Sequence, residues 1–371
     1  MFKFHMPTKL FVGSNCLREN KSQLILGKRA MIVTGKTSGA RSGALDEVIE
    51  ILKSEKIPYL VYDKIENNPE INDMARAGLV ASEFSADFLI GIGGGSPLDA
   101  TKAIAVYSQN PPGVTGEFKL YDIFTGEYPN KPLPMVAIPT TAGTGSETTP
   151  YSILTLHKEQ NKRSFSSPDT FFKVAFLDGK YTLNLPLQIA RNTAVDAMCH
   201  LLEGYTNKKS SDGSDYIALE GLKIIGKHLD RLRSGEMNTE ACTELLWAST
   251  LGGIVISQTG TTVVHSMGYM LTYHKDIPHG MANGFLLYEY LKRQAEACPE
   301  KKNAYLKALG IDTLEELRNY LEEILPFEME IDKDTIEEWS KTAIMAKNVA
   351  SCPFPITRED EINMYTRSLF R

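Results

Sequence analysis

The feature that most constrains this chain is a change of hydrophobic period at Pro186. Before it, short apolar, β-branched runs alternate with stretches whose apolar residues recur at helical spacing. After it, only helical spacing remains. Strands are predicted over Arg29 to Thr34, Tyr59 to Tyr62, Asp87 to Gly91, Pro134 to Ile138 and Val174 to Leu177, with helices over Ala44 to Lys53 and Ile71 to Phe84. Short apolar strands separated by amphipathic helices mean βαβ units and a parallel sheet. Tyr151 to Leu156, followed by the charged run His157 to Arg163, reads as a hairpin arm. Beyond Pro186, helices are predicted over Gln188 to Tyr205, Asp215 to Leu232, Thr239 to Ser257, Thr262 to Thr272, Gly284 to Cys298, Thr313 to Ile324 and Lys333 to Ala350. The fold class that follows is an α/β N-terminal domain with a mostly parallel sheet, residues 1–184, and an all-α C-terminal domain, residues 185–371. No Pro/Gly/Ser linker separates them, so the halves should meet directly, with a cleft between them.

Length supports two cores, since 371 residues exceed one ordinary domain. A net charge of -6 and a pI near 5.8 leave no footprint for nucleic acid or an anionic membrane. The longest apolar runs are strand-sized, and the opening M-F-K-F-H-M-P-T has no apolar signal core, so neither a membrane span nor secretion is expected. Five cysteines, an odd number without a C-x-x-C pair, fit reduced thiols in the cytoplasm. Phe2 to Val12 reads as an apolar, extended edge, which invites pairing with another chain.

Asp196 and His200 stand four residues apart in R-N-T-A-V-D-A-M-C-H-L-L-E-G, one helical turn apart on the same side. They could be a solvated surface pair. Ala194, Val195, Ala197, Met198, Leu201 and Leu202 argue otherwise, because they make this helix mostly buried, and a buried carboxylate needs a partner. His265 and His279 follow in a chain with seven histidines. Carboxylate and imidazole together suit a borderline divalent metal such as Zn or Fe(II).

A second constellation lies in the first half. In Asp87-Phe-Leu-Ile-Gly-Ile-Gly-Gly-Gly-Ser-Pro-Leu-Asp-Ala-Thr-Lys102 a strand runs into Gly93, Gly94 and Gly95. Ser96 then reads as a helix N-cap, with Pro97 first in the helix and Asp99 three beyond the cap. Glycines allow close backbone approach, and a helix N-terminus favours phosphate, so a dinucleotide phosphate site is expected. The alternative is a tight turn without ligand. Pro139-Thr-Thr-Ala-Gly-Thr-Gly-Ser-Glu147 offers the hydroxyls of Thr140, Thr141, Thr144 and Ser146 after another strand, either for the same cofactor or as a plain connection.

Taken together, G-G-G-S-P-L-D, T-T-A-G-T-G-S-E, D-A-M-C-H-L-L-E-G, and H-S-M-G-Y followed by P-H-G-M-A-N resemble the iron-dependent (group III) alcohol dehydrogenases, among them the 1,3-propanediol and butanol dehydrogenases. The resemblance runs from the opening M-P-T-K-L-F-V-G to the closing P-I-T-R-E-D-E-I. It implies a nucleotide-binding α/β domain and a helical domain that holds the metal, with metal and cofactor in the cleft. It places metal ligands on Asp196, His200, His265 and His279. The pyrophosphate loop falls on Gly93 to Ser96 with Asp99 nearby, the cofactor threonines on Thr140 and Thr141, and a lysine near the nicotinamide on Lys162. It also suggests a homodimer.

Two positions depart from the family pattern. Where many members carry a second histidine four residues after the third ligand, this chain has Tyr269, which could relay a proton instead. Tyr151 replaces the usual substrate-side asparagine. His274 matches nothing in the pattern and reads as a solvated loop residue. NAD-preferring members end the first strand with an aspartate; here Gly35 stands there, followed by Lys36, Ser38, Arg41 and Ser42, as an NADP site requires. NADP is therefore expected over NAD. The implied activity is metal-dependent hydride transfer between NADP(H) and a small primary alcohol, diol or aldehyde. The alternatives are a dehydroquinate-synthase-like lyase using NAD and a metal, and a non-catalytic nucleotide or metal sensor.

Overall fold

The computed structural model describes residues 2–113, 118–326 and 330–370. It divides into two compact units, Met6–Leu185 and Pro186–Arg371, the residues up to His5 grouping with the second.

The first unit is built on a parallel sheet. Its strands are β1 (Lys9–Val12), β2 (Ala30–Gly35), β3 (Tyr59–Ile65), β4 (Phe88–Gly93), β5 (Met135–Pro139) and β8 (Val174–Leu177), ordered β1-β8-β5-β4-β2-β3 with every pairing parallel. Helices α1 (Cys16–Glu19), α2 (Ser38–Ser42), α3 (Ala44–Ser54), α4 (Ile71–Glu83) and α5 (Gly95–Gln109) supply the crossovers. Alternation along the strands explains why both faces are dry. Met31, Val33, Leu89, Met135 and Ala137 point to the face covered by Met74 and Ala77 of α4 and Ile104 of α5. Ala30, Ile32, Phe88, Ile90 and Val136 point to the other, against Val48, Ile51 and Leu52 of α3. The charged arm is indeed a hairpin, β6 (Ser152–Leu156) antiparallel to β7 (Asn161–Phe165).

From β2 the chain moves outward to β3, then returns to place β4 on the other side of β2. That reversal is a topological switch point, and the crevice beyond the carboxyl ends of such strands is where open α/β sheets bind ligands. Gly35 ends β2 and Gly93 ends β4; Thr140 follows β5, its N–H donating to the Gly93 carbonyl at 2.9 Å. Three stretches singled out in the sequence therefore converge at one edge of one sheet.

The second unit is helical among its described residues: α6 (Leu187–Thr206), α7 (Asp212–Lys227), α8 (Leu229–Ser234), α9 (Thr239–Thr259), α10 (Val263–Lys275), α11 (His279–Ala297), α12 (Pro299–Leu309), α13 (Leu314–Ile324), α14 (Lys333–Ala343) and α15 (Arg358–Leu369). Three boundaries differ from the sequence reading. The helix expected over Asp215 to Leu232 breaks at His228, whose ring is held by Glu244 at 2.5 Å. The one expected to reach Ala350 stops at Ala343 and gives way to a 3-10 turn, Lys347–Ser351. The one expected from Gly284 starts at His279, directly after Pro278. Helices α12 and α15 have no counterpart in the sequence reading, although Pro299 at the start of one and a Thr357/Asp360 capping box on the other mark them. None of the described helices is long and apolar enough to cross a membrane.

Glu361 on α15 is fully buried, and neither carboxylate oxygen has a hydrogen-bond partner. Burial, assisted by Asp360, pushes its pKa up to about 8. The folded state thus holds a proton that the unfolded chain releases at ordinary carboxylate pH. Stability is unpenalised below that pH and should fall as pH rises towards 8. In thermal melts, Glu361→Gln should gain roughly 4 °C or more at pH 8 and little at pH 4. A parallel pH dependence of wild type and variant would contradict the buried, protonated assignment.

Candidate metal centre and cofactor loops

In the second unit, α6 carries Asp196, His200 and Glu203 at positions i, i+4 and i+7, which one buried helix face presents together. His265 sits in the first turn of α10 and His279 opens α11. One ligand atom each from Asp196, His265 and His279 lie within 4.8 Å of one another. His279 Nε2 is 3.8 Å and His265 Nε2 3.9 Å from Asp196 Oδ1. His200 joins through its ring, stacked on that of His265 with centroids 4.7 Å apart. Burial alone would raise the pKa of Asp196, but His200, His279 and His265 outweigh it and hold the carboxylate below its usual range. One carboxylate among imidazoles, those of His200 and His265 buried and that of His279 half-buried, is a donor set that fits a divalent transition-metal ion.

Glycines make the convergence possible. A Cβ on Gly280, one residue past His279, would come within 1.9 Å of the Asn192 carbonyl oxygen and 2.9 Å of the Asp196 Cβ. The start of α11 therefore touches α6 backbone to backbone, which brings His279 to Asp196. On α9, a Cβ on Gly252 would lie 3.3 Å from the Cβ of His200.

Sequence reasoning singled out neither Glu203 nor Asn283. Glu203 is fully buried; Oε2 meets His265 Nδ1, and Oε1 accepts from the Thr262 N–H at 2.7 Å and the Thr262 hydroxyl at 2.6 Å. Burial pushes its pKa up, but His265 and Thr262 bring it below the ordinary range. An ionised partner at Nδ1 holds the proton there and turns the Nε2 lone pair of His265 towards Asp196. Asn283, one turn after His279, donates from Nδ2 to Asp196 Oδ1 at 3.1 Å. Helical spacing is the signal that could have found both: i+7 from Asp196 and i+4 from His279. Tyr269 stacks on His279 with centroids 5.4 Å apart and planes 16° apart. His274 is exposed, as expected, but lies in the last turn of α10, stacked on Trp339 at 5.5 Å, and not in a loop.

In the first unit the glycine loop differs from the sequence reading in one respect. The N-cap is Gly94, not Ser96, and α5 begins at Gly95. Ser96 is already helical and accepts from the Asn68 N–H at 3.2 Å. Asp99 caps nothing: it accepts from the Ser146 hydroxyl at 2.7 Å and the Ile153 N–H at 2.9 Å. A capless N-terminus leaves its first N–H groups for a ligand. A Cβ on Gly94 would come within 2.9 Å of Thr141 Oγ1, and one on Gly95 within 2.7 Å of Thr144 Cγ2, so the glycine and threonine loops pack directly together. Behind them the buried Lys102 Nζ donates to the Ser146 carbonyl and hydroxyl, both at 2.8 Å, and to the Tyr151 carbonyl at 2.5 Å. Burial lowers its pKa to about 8, against the pull of Asp99 and Glu147. Lys162, on β7, donates to Asn68 Oδ1 at 2.7 Å. At the end of β2, Thr34 Oγ1 and Ser38 Oγ are buried without a hydrogen-bond partner. Lys36 is engaged by Glu66, while Arg41 lies exposed in the last turn of α2.

Comparison with known proteins places this geometry. The profile of the iron-containing alcohol dehydrogenases matches residues 7–179, and that of the C-terminal domain of the same family matches residues 190–369. An NADPH-dependent butanol dehydrogenase of Clostridium saccharobutylicum is 29% identical over 85% of this chain and 81% of its own length. The lactaldehyde reductase of Escherichia coli is 32% identical over 79% of this chain and 76% of its own. An iron-containing alcohol dehydrogenase of Thermotoga maritima superposes with a TM-score of 0.92 at 37% identity, covering both chains completely. The chain belongs to the iron-containing alcohol dehydrogenase family and is a metal-dependent oxidoreductase. The lyase and sensor alternatives are not favoured.

The backbone contact of α11 with α6 should not tolerate a side chain. Gly280→Ala is expected to cost about 3 kcal/mol, the upper range for overpacking, because the obstacle is a carbonyl oxygen and not a movable side chain. Chemical denaturation of the purified variant measures this. A loss below about 1 kcal/mol would mean that the two helices can part freely.

Proposed function

We propose that this chain is an NADP(H)-linked dehydrogenase of small primary alcohols, diols or the matching aldehydes. The observation that carries the reading is the convergence of Asp196, His265 and His279 in a chain of this family. With His200 they form the proposed ligand set for one divalent ion, iron favoured and zinc the alternative. When bound, the metal held by these residues would supply Lewis acidity towards a substrate oxygen, and a nicotinamide cofactor would supply the hydride chemistry. Asp196 contributes the negative charge, and Glu203 fixes the tautomer of His265. Tyr269, stacked on His279, is the proposed proton relay at its phenolic oxygen.

The proposed cofactor site comprises Gly93, Gly94, Gly95 and Ser96 for the pyrophosphate, with Thr140, Thr141 and Thr144 beside them. Asp99 and Lys102 brace the threonine loop, and Lys162 serves the nicotinamide end. For the 2′-phosphate, Gly35, Ser38 and Arg41 are proposed. The unpartnered hydroxyls of Thr34 and Ser38 are the kind of buried donors that a phosphate or ribose satisfies. The butanol dehydrogenase relative is NADPH-dependent by name, in keeping with this choice. Five free cysteines favour a reducing, cytoplasmic setting.

A homodimer through β1 is also proposed. β1 lies at the edge of the sheet, paired with β8 alone. Lys9 and Gly13 donate inward to the carbonyls of Lys173 and Leu177, so the intervening N–H of Val12, whose side chain is exposed, points outward. Val12→Pro removes that outward donor and keeps the inward bonds. Light scattering should show monomers for the variant; an unchanged mass would exclude this edge as the interface.

The cofactor assignment rests on charge. Gly35→Asp would set a carboxylate beside the 2′-phosphate; its Cβ, 2.9 Å from Ser38 Oγ, needs only a rotation of that hydroxyl. Unit like charges at about 4 Å repel by roughly 4 kcal/mol at an effective dielectric near 20, and a third of that is about tenfold in affinity. The ratio of catalytic efficiencies with NADP and NAD should swing towards NAD by about tenfold or more. A wild type that already prefers NAD, or a ratio that does not move, would defeat the NADP reading.

A further inference from the structure

Asn283 does more than support Asp196. Its Nδ2 lies 3.1 Å from Asp196 Oδ1, 3.2 Å from His265 Nε2 and 3.3 Å from His279 Nε2, all three being the converging atoms of the cluster. Its Oδ1 points away, buried and without a hydrogen-bond partner, towards Gly268, where a Cβ would stand only 2.1 Å from it. The orientation follows from the acceptors. Turned the other way, the amide oxygen would face a carboxylate and two imidazole lone pairs.

We propose that the Asn283 amide is an internal competitor for the metal: one N–H stays on Asp196, while the other, shared between the two imidazoles, occupies lone-pair space that it must give up when a cation binds. The proposal rests on the metal reading given above. A neutral imidazole has one in-plane lone pair at Nε2, so His265 and His279 can each accept from the amide or coordinate a metal, but not both. For His265 the tautomer is fixed by Glu203 at Nδ1, which leaves Nε2 as the acceptor. Asp196 Oδ1 has a second lone pair and can keep its Asn283 bond throughout. The amide has two N–H groups, one for Asp196 and one shared by the two imidazoles, so removing it costs the metal-free protein one more hydrogen bond than the loaded one. Gly268 provides the room in which the amide sits.

The sign of the effect separates this role from an ordinary supporting one. An anchor that only orients Asp196 would weaken metal binding when removed, commonly by ten- to a hundredfold. A competitor would strengthen it. One neutral hydrogen bond of ordinary worth corresponds to roughly a fivefold gain. The experiment is zinc affinity by chelator competition on full-length wild type, Asn283→Ala and Asn283→Ser, with melting temperatures of stripped and zinc-loaded forms. The expected result is tighter zinc binding in both variants and a wider gap between the two melting temperatures. An Asn283→Ala protein that folds only with zinc counts the same way, and Asn283→Ser decides if the alanine variant folds in neither form. Weaker binding, or an unchanged gap, overturns the proposal. His279→Ala serves as control: if wild type binds zinc no better than this variant, the metal reading itself fails, whereas tight wild-type binding with a weakened Asn283 variant defeats the competitor role alone.

Discussion

A carboxylate taken out of water must find compensating charge or hydrogen bonds, and in the second unit the packing around Asp196 is organised by that requirement. Asp196 is 3% exposed and His265 2%. Asp196 could not be accommodated alone on a helix where Ala194, Val195, Ala197 and Met198 surround it. The compensation comes from three other helical positions: His200 on the same helix, His265 on α10 and His279 on α11. Close approach of those helices is permitted by Gly280 against α6 and Gly252 against His200. The glycines look like weak points for helix propensity, each costing about 1 kcal/mol against alanine. Their value lies in the approach they allow, since a larger residue at 280 would hold His279 away from its carboxylate.

Much of this was legible because helical period survives burial in the sequence. Asp196 and His200 at i and i+4, flanked by small apolar residues, carry their own prediction of a buried polar pair. The sheet was equally legible, since β4 and β5 are runs of fully buried residues bounded by glycine, proline or threonine. What escaped was of two kinds. Asn283 is an uncharged residue in P-H-G-M-A-N-G, where two glycines mask the start of α11 and so hide its one-turn spacing from His279. Glu203 sits in a recognised motif, but its role depends on Thr262 and His265, some 60 residues away, and no local pattern announces such a partner.

The misplaced helix start is instructive for the opposite reason. Serine followed by proline is a strong local signal for N-cap and first helical position. The structure overrides it because the helix is positioned by tertiary contacts: Gly93 lies under Pro97, Gly94 against Thr141 and Gly95 against Thr144. These contacts start the helix two residues earlier and release Ser96 to meet Asn68. Asp99, freed from capping, turns to Ser146 and Ile153 and ties α5 to the hairpin.

That exchange explains why the three glycines cannot be read solely as space for a phosphate. Two of them are filled from the protein's own side, by threonines of the neighbouring strand's loop. Lys102 and Asp99, both drawing on Ser146, then lock that loop to α5 from beneath. A nucleotide bound as proposed would meet a loop already held in place by these contacts, so little entropy would be spent on ordering it. The free choice lies at the end of β2, where Thr34 and Ser38 keep unsatisfied hydroxyls and Lys36 is already engaged by Glu66. On the proposed assignment, phosphate recognition by the β4 and β5 loops and discrimination at the β2 end would be separable, one set by packing and the other by a few charges that substitution can change without disturbing the sheet.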